Sequence, residues 1–319
     1  MLTRLTASLT LPMIGSPMFI VSGPELVIAQ CQAGIIGAFP ALNARPAETL
    51  REWLEQITQA LADYDKRHPE CPSAPFAVNQ IVHPTNDRLE HDVALCAEFK
   101  VPLVITSLHA PNRVVEQVHA YGGLVFHDVT TLRHAKKAID AGVDGLILVC
   151  HGAGGHAGGL NPFAFVDEVR RFYDGPLVLA GAITQGKQIA AAQALGVDLV
   201  YMGTRFIATQ EANASSAYKQ MVLDSAAVDI VYTNLFTGVH GNYLRASIEQ
   251  AGLDPEALPQ GDKASMRYGS GGSSKSKAWR DIWGAGQGVG SITTLNSVAE
   301  EVATLRSDYQ QALTHLRRL

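Results

Sequence analysis

One short stretch of this chain gathers reactive side chains and glycines together: Cys150-His151-Gly152-Ala153-Gly154-Gly155-His156-Ala157-Gly158-Gly159. Glycines at this density are costly to order, but they let the backbone come close to a flat or charged ligand. An imidazole set among them can exchange protons near neutral pH. Two other readings compete. One is a flexible surface loop with incidental histidines. The other is a zinc site from His127, His151 and His156, for which no carboxylate or thiolate has the usual ligand spacing.

Two further loops carry a phosphate signal. Ala180-Gly181-Ala182-Ile183 and Gly203-Thr204 each follow a short apolar run. Bare backbone N–H groups at such points can cradle phosphate oxygens, and the Thr204 hydroxyl can add a donor. The plainer reading is that both glycines only turn the chain. Gly269-Ser270-Gly271-Gly272-Ser273-Ser274-Lys275-Ser276 imitates a P-loop, but Ser274 stands where the glycine before lysine is required and no apolar strand precedes it. It reads as a mobile loop or lid. Asp128, with Thr130, reads as the cap of the helix that follows.

These loops must be positioned by regular elements. Candidate strands are Met18–Ile20, Ile35–Phe39, Phe76–Asn79, Leu103–Thr106, Leu124–His127, Leu146–Val149, Leu177–Ala180 and Leu199–Met202, eight in all. Helical segments separate them. Gly34, Gly122-Gly123, Gly142 and Gly196 punctuate four helix-to-strand joints, and Pro102 and Pro176 mark two more. Continuous apolar strands alternating with helices imply a parallel sheet covered by helices, and eight such units suit a closed (β/α)8 TIM barrel better than an open doubly wound sheet. The eighth strand ends near Met202 with more than a hundred residues to follow. The last of these form an amphipathic helix, with Val298, Val302, Leu305, Tyr309, Leu313 and Leu316 on one face, which reads as the outer helix of the eighth unit. Residues 1–210 and 285–319 are then the barrel. Residues 211–284 form a smaller, mainly helical insertion after strand 8, a substrate or lid domain over the face where barrel active sites form.

Bulk composition narrows the function. With 319 residues, 47% of them apolar and 17% charged, the chain can bury a large core. The 25 basic and 30 acidic residues are spread out, giving a net charge of −5 with no basic run, so nucleic acid is a poor partner. Cys31, Cys71, Cys96 and Cys150 have no CxxC spacing, which fits a reducing cytoplasm. Pro12 and Pro17 interrupt the apolar N-terminal run, so a secretory leader is not expected. No stretch approaches the ~18 apolar residues of a membrane span. A homodimer is left open.

The run Gly142-Val143-Asp144-Gly145-Leu146-Ile147 leading to Ala153-Gly154-Gly155-His156, followed by Ala180-Gly181-Ala182-Ile183 and by Leu199-Val200-Tyr201-Met202-Gly203-Thr204-Arg205-Phe206, resembles the nitronate monooxygenases, formerly called 2-nitropropane dioxygenases. Ala278-Trp279-Arg280-Asp281-Ile282-Trp283 and Gly286-Gln287-Gly288 are similar to the C-terminal flavin-side segment of that family. The resemblance implies an FMN enzyme that oxidises alkyl nitronates, or their parent nitroalkanes, with O2. It implies His156 as the catalytic histidine, acting as base or electrostatic partner. It implies cofactor contacts at Met18, Asn79, Gly154, Gly155, Gly181, Met202, Gly203, Thr204 and Gln287. Where the best-studied class has glutamine seven residues before the histidine and glutamate four before it, this chain has Val149 and Gly152, which places it in a divergent branch. Two other functions fit the same parts: an FMN-dependent NAD(P)H reductase acting on a quinone or enoyl thioester, and a non-catalytic binder of flavin or another phosphate ligand.

Overall fold

The computed structural model of the chain describes residues 2–262, 268 and 282–318. The glycine-rich Gly269–Ser276 stretch and Ala278–Asp281 lie outside the described residues. The apolar runs form β1 (Met13–Gly15), β2 (Gly37–Pro40), β3 (Phe76–Val82), β4 (Leu103–Leu108), β5 (Leu124–Val129), β6 (Gly145–Val149), β8 (Leu177–Ala180) and β9 (Leu199–Met202). A two-residue strand, β7 (Gly155–His156), lies in the loop after β6. The first eight all pair in parallel in the order β1-β9-β8-β6-β5-β4-β3-β2. The two ends of that order meet. Ile14 bridges to Ile36, with Ile36 N–H donating to Met13 O at 3.1 Å and Gly15 N–H to Ile36 O at 2.7 Å. The result is a (β/α)8 barrel.

Side chains alternate along each strand, so one set fills the barrel and the other faces the helices. Ile14, Ile36, Ala77, Ile105, Phe126, Ile147, Val178 and Leu199 belong to the inner cluster. Met13, Phe39, Val78, Val104, Val125, Leu146, Leu148 and Val200 belong to the outer one. That outer layer packs beneath α2 (Pro24–Gln32), α3 (Thr49–Arg67), α4 (Leu89–Glu98), α5 (Asn112–Ala120), α6 (Leu132–Asp140), α7 (Pro162–Arg170) and α8 (Gly186–Ala194). A short α1 (Leu2–Thr6) precedes β1, and Leu5 joins the inner cluster. The last helix, α12 (Val298–Leu316), closes the helical ring against α8 and α2. It starts at a capping box made by Ser297 and Glu300. Gly186 lets it approach, because a Cβ there would collide with the backbone of Leu305 and Tyr309. Its apolar face is buried through Leu305, whereas Leu316 at the far end is exposed.

The glycine joints are as the sequence predicts: Gly34, Gly122, Gly142 and Gly196 all have φ between +83 and +95°. Before Pro102, Lys100 takes the left-handed turn instead, at φ +49°. Two expectations need correction. The first strand is Met13–Gly15, not Met18–Ile20. Met18–Ile20 is apolar because it lines a cavity; its backbone is a turn held by Asn43, whose Nδ2 donates to Met18 O at 2.9 Å and to Ser22 O at 2.8 Å. The cap of α6 is Thr131, which accepts from His134 N–H. Asp128 is engaged elsewhere, as described below.

After β9 come α9 (Thr204–Ile207) and α10 (Ser216–Asp224), then an antiparallel pair, β10 (Ile230–Thr233) and β11 (Gly241–Leu244), and α11 (Arg245–Gln250). The pair was not anticipated. β11 also pairs antiparallel with β7, placing Gly241 opposite His156 and Asn242 opposite Gly155.

Candidate active site

The C-terminal ends of the barrel strands, the Gly-rich loop and the hairpin β10–β11 enclose a cavity of about 900 Å³. Of the ten residues singled out above, Met18, Asn79, Gly154, Gly155, His156, Gly181, Gly203 and Thr204 border it. Met202 and Gln287 do not. Met202 is buried in the wall, its carbonyl accepting Ser16 N–H at 2.9 Å. Gln287 braces the Gly-rich loop from behind, its N–H donating to Gly152 O at 2.9 Å.

One end of the cavity is bare backbone. Gly181 has φ +137°, a region that disfavours side chains, and a Cβ there would stand 2.9 Å from His151 O. Gly203 has an ordinary φ of −111°; its Cβ would lie 3.1 Å from Ser16 Cβ and 3.4 Å from Met18 Sδ. Space, not backbone strain, makes glycine fit at 203. Thr204 Oγ1 accepts Gly286 N–H at 2.9 Å, so its own proton remains to be donated. Behind it, Arg205 Nε donates to Glu301 Oε2 at 2.5 Å and Nη1 to Ser291 O at 3.0 Å. Gly154 serves a purpose the sequence did not reveal: a Cβ there would meet Gly286 N at 2.8 Å, so the missing side chain lets the chain approach itself.

His156 borders the same cavity. Its Nε2 lies 2.8 Å from Thr237 Oγ1. That hydroxyl donates to Val239 O at 3.0 Å and accepts Val239 N–H at 3.2 Å. In a neutral imidazole one ring nitrogen donates and the other accepts, and the Thr237 hydroxyl, which also interacts with Tyr243, holds the Nε2 side of the ring. Burial pushes the His156 pKa down from 6.5 to about 4. The other two histidines have separate neighbours. His127 Nδ1 pairs with Thr106 Oγ1 at 2.8 Å, and His151 lies beside the Tyr232 ring at 5.8 Å between centroids.

The floor carries a polar chain that runs across three adjacent strands. Asn79 Nδ2 donates to Ser107 Oγ at 2.8 Å, and Ser107 Oγ donates to Asp128 Oδ2 at 2.6 Å. Burial raises the Asp128 pKa from 3.8 to about 7, with the Ser107 hydrogen bond opposing. Ser107, Asp128 and Thr237 all border the cavity and were not predicted as site residues. The first two had a usable signal, a polar residue at the carboxyl end of a barrel strand. Thr237 had none. Three non-glycine residues with positive φ, Ile20, Leu108 and Ala182, also border the cavity, a clustering of backbone strain common at functional sites.

Comparison with known proteins agrees with this architecture. The sequence model of the family described as nitronate monooxygenase matches residues 3–308. A nitronate monooxygenase of Paraburkholderia phytofirmans is 27% identical, over 96% of this chain and 94% of its own length. A protein of Rhodococcus jostii named as a dehydrogenase of a hydroxy-methyl-oxo-octahydroindene carboxyl-CoA is 28% identical, over 74% of this chain and 63% of its own. Among solved structures, nitroalkane oxidase from Streptomyces ansochromogenes superposes with a TM-score of 0.80, covering 99% of each chain at 24% identity. Among the described residues, no helix is long and apolar enough to cross a membrane.

Proposed function

The chain belongs to the nitronate monooxygenase family, and on that premise we propose that it oxidises alkyl nitronates and nitroalkanes with O2, using FMN, with His156 as the base. It is an oxidoreductase of a flavin-dependent type. The observation that carries the proposal is that Gly181, Gly203, Thr204 and a buried imidazole, His156, all border one cavity.

The residues fit a flavin mononucleotide. Gly181 and Gly203 border the cavity, where main-chain N–H groups would meet phosphate oxygens, and Thr204 retains a hydroxyl proton for one of them. The cavity lies within the usual range for cofactor sites. Met18 supplies an apolar wall and Asn79 a polar one. When bound, the flavin supplies the electron acceptor for the nitronate carbon and passes electrons to O2. The chain's part is orientation, exclusion of water and proton transfer. A histidine with a pKa of about 4 is neutral at pH 7, so His156 acts by accepting the α-proton of a neutral nitroalkane rather than as a standing cation. Thr237 holds the ring at Nε2 and so limits its rotation. Cys31, Cys96 and Cys150 are buried free thiols, in keeping with a reducing cytoplasm.

A second reading, NAD(P)H-dependent reduction of a quinone or an enoyl thioester, is favoured by the carboxyl-CoA dehydrogenase among the relatives. One experiment separates the two. Protein loaded with FMN is mixed with a primary alkyl nitronate in air, and separately with NADH or NADPH without oxygen. Oxygen uptake with the nitronate and an unbleached flavin with the nicotinamides are expected. Rapid anaerobic bleaching without nitronate turnover would replace the first reading with the second. Failure to retain FMN would remove both.

A further inference from the structure

The floor of the barrel holds a carboxyl group that the chemistry above does not use. Asp128 borders the cavity, while its Oδ1 is shielded from bulk water and has no hydrogen-bond partner among the described residues. Its other oxygen is committed. Ser107 has a single hydroxyl proton and gives it to Asp128 Oδ2, and Ser107 Oγ in turn accepts from Asn79 Nδ2. A proton carried by the carboxyl therefore sits on Oδ1 and makes it a donor.

The surroundings favour that protonated form. On β4, Ser107 faces this region with its hydroxyl, whereas Thr106 points to the other face and pairs with His127, and on β6 the neighbours are Ile147 and Val149. From β9 comes the phenol of Tyr201, itself buried, whose pKa is raised by burial first and by Asp128 second. His134 of α6 borders the same cavity. Among the described residues no salt bridge to Asp128 is formed, whereas Arg88 and Arg205 are each paired with another acid. An unpaired buried carboxylate is expensive, and an apolar site that keeps a carboxylic acid neutral turns it into a hydrogen-bond donor. Such a donor needs an acceptor, and the cavity is where one would bind.

We propose that Asp128 donates its Oδ1 proton in a hydrogen bond to the carbonyl and ring-nitrogen edge of the flavin, and so favours the reduced cofactor. This rests on the reading that a flavin is resident. A flavin ring that takes up two electrons and one proton keeps one negative charge, which concentrates on that edge, so a donor there stabilises reduced over oxidised flavin. Asp128 shares its proton and needs no further reactant while the pH is low enough to keep it protonated. Above the pKa of Asp128 with oxidised flavin, reduction must also draw a proton onto Asp128, so two protons rather than one accompany the two electrons.

The test is the midpoint potential of the FMN-loaded protein measured from pH 5 to pH 9, with the visible spectrum of the oxidised flavin followed over the same range. The wild type is expected to show a line whose slope doubles above pH about 7, with a spectral titration at the same point. Asp128→Asn keeps a neutral side chain of the same shape and should give one slope throughout and no spectral titration. Ser107→Ala removes a hydrogen bond that stabilises the carboxylate, and should move the break to higher pH. A residue with only a structural role would not produce that move. Identical lines for wild type and both variants would overturn the inference. A break that appears only after a nitronate is bound would assign the acceptor to the substrate and overturn it too. Protein that takes up no flavin would defeat the functional reading instead, so the two failures are distinguishable.

Discussion

The protonation state of His156 can be tested by the acid limb of the pH profile. Burial lowers its pKa from 6.5 to about 4. At pH 5 a base with pKa about 4 is roughly nine-tenths unprotonated, whereas one left at 6.5 would be only about 3% unprotonated. The structure therefore predicts that kcat/KM for a neutral primary nitroalkane is about 30-fold higher at pH 5 than an ordinary histidine would allow. The assay is oxygen uptake at limiting nitroalkane from pH 4 to pH 8. Because Asp128 titrates near the ordinary histidine value, the profile is repeated with Asp128→Asn, which removes that ionisation. His156→Ala supplies the other half of the measurement, a loss on the order of 10²–10⁴-fold with the neutral nitroalkane and a smaller one with the preformed nitronate. An acid limb breaking near 6.5 in the Asp128→Asn protein would refute the assignment of His156 as a desolvated neutral base. So would an unchanged rate in His156→Ala on both substrate forms.

Gly203→Val should lose FMN while the barrel stays folded, because Gly203 has an ordinary φ and its added side chain would crowd Ser16 and Met18 in the cavity wall; full flavin occupancy would show the proposed phosphate end to be misplaced. Gly181 is a poorer probe, since φ +137° would strain any replacement. His151→Ala should cost much less activity than His156→Ala, because His151 packs beside Tyr232 and does not border the cavity. Glu301→Gln leaves Arg205 without its buried anionic partner and should lower unfolding stability by about 3–5 kcal/mol in denaturant titrations. For Asp128 the sign runs the other way from a salt-bridged acid. Its native pKa is raised from 3.8 to about 7, so the folded protein holds the proton more tightly, and up to about 4 kcal/mol of stability is lost as pH climbs through that window. Asp128→Asn in flavin-free protein should flatten that decline, and an unchanged pH dependence in urea would count against the buried acid.

Seven of the eight barrel strands were legible from their apolar runs, six of them bounded by a glycine or proline at the helix-to-strand joint. The first was not. Met18, Phe19 and Ile20 are apolar for the sake of the cavity, and composition does not distinguish a cavity wall from a paired strand. Gly181 and Gly203 could be picked out by position alone, since phosphate sites recur after the last two strands of such barrels. Asp128 was visible but misread as a cap, because a carboxylate near a helix start is usually that; its burial depends on β4, whose Ser107 lies across the sheet. Thr237 was beyond reach, lying 81 residues from the imidazole it orients. The β10–β11 pair went unread because four-residue strands around a turn leave too short a pattern to separate from loop.

The pairing of β7 with β11 has an engineering consequence. His156 belongs in sequence to the sixth barrel unit, but its backbone register is set by Gly241 and its ring by Thr237, both in the segment after β9. That segment is therefore not an interchangeable cover. Transplanting a relative's version to alter substrate preference would replace half of the histidine's surroundings along with the pocket, and a shift of one residue in the hairpin would present the opposite face of the short strand. Grafts that keep 237–243 native and vary only the stretches outside it can change the pocket without resetting the histidine's surroundings.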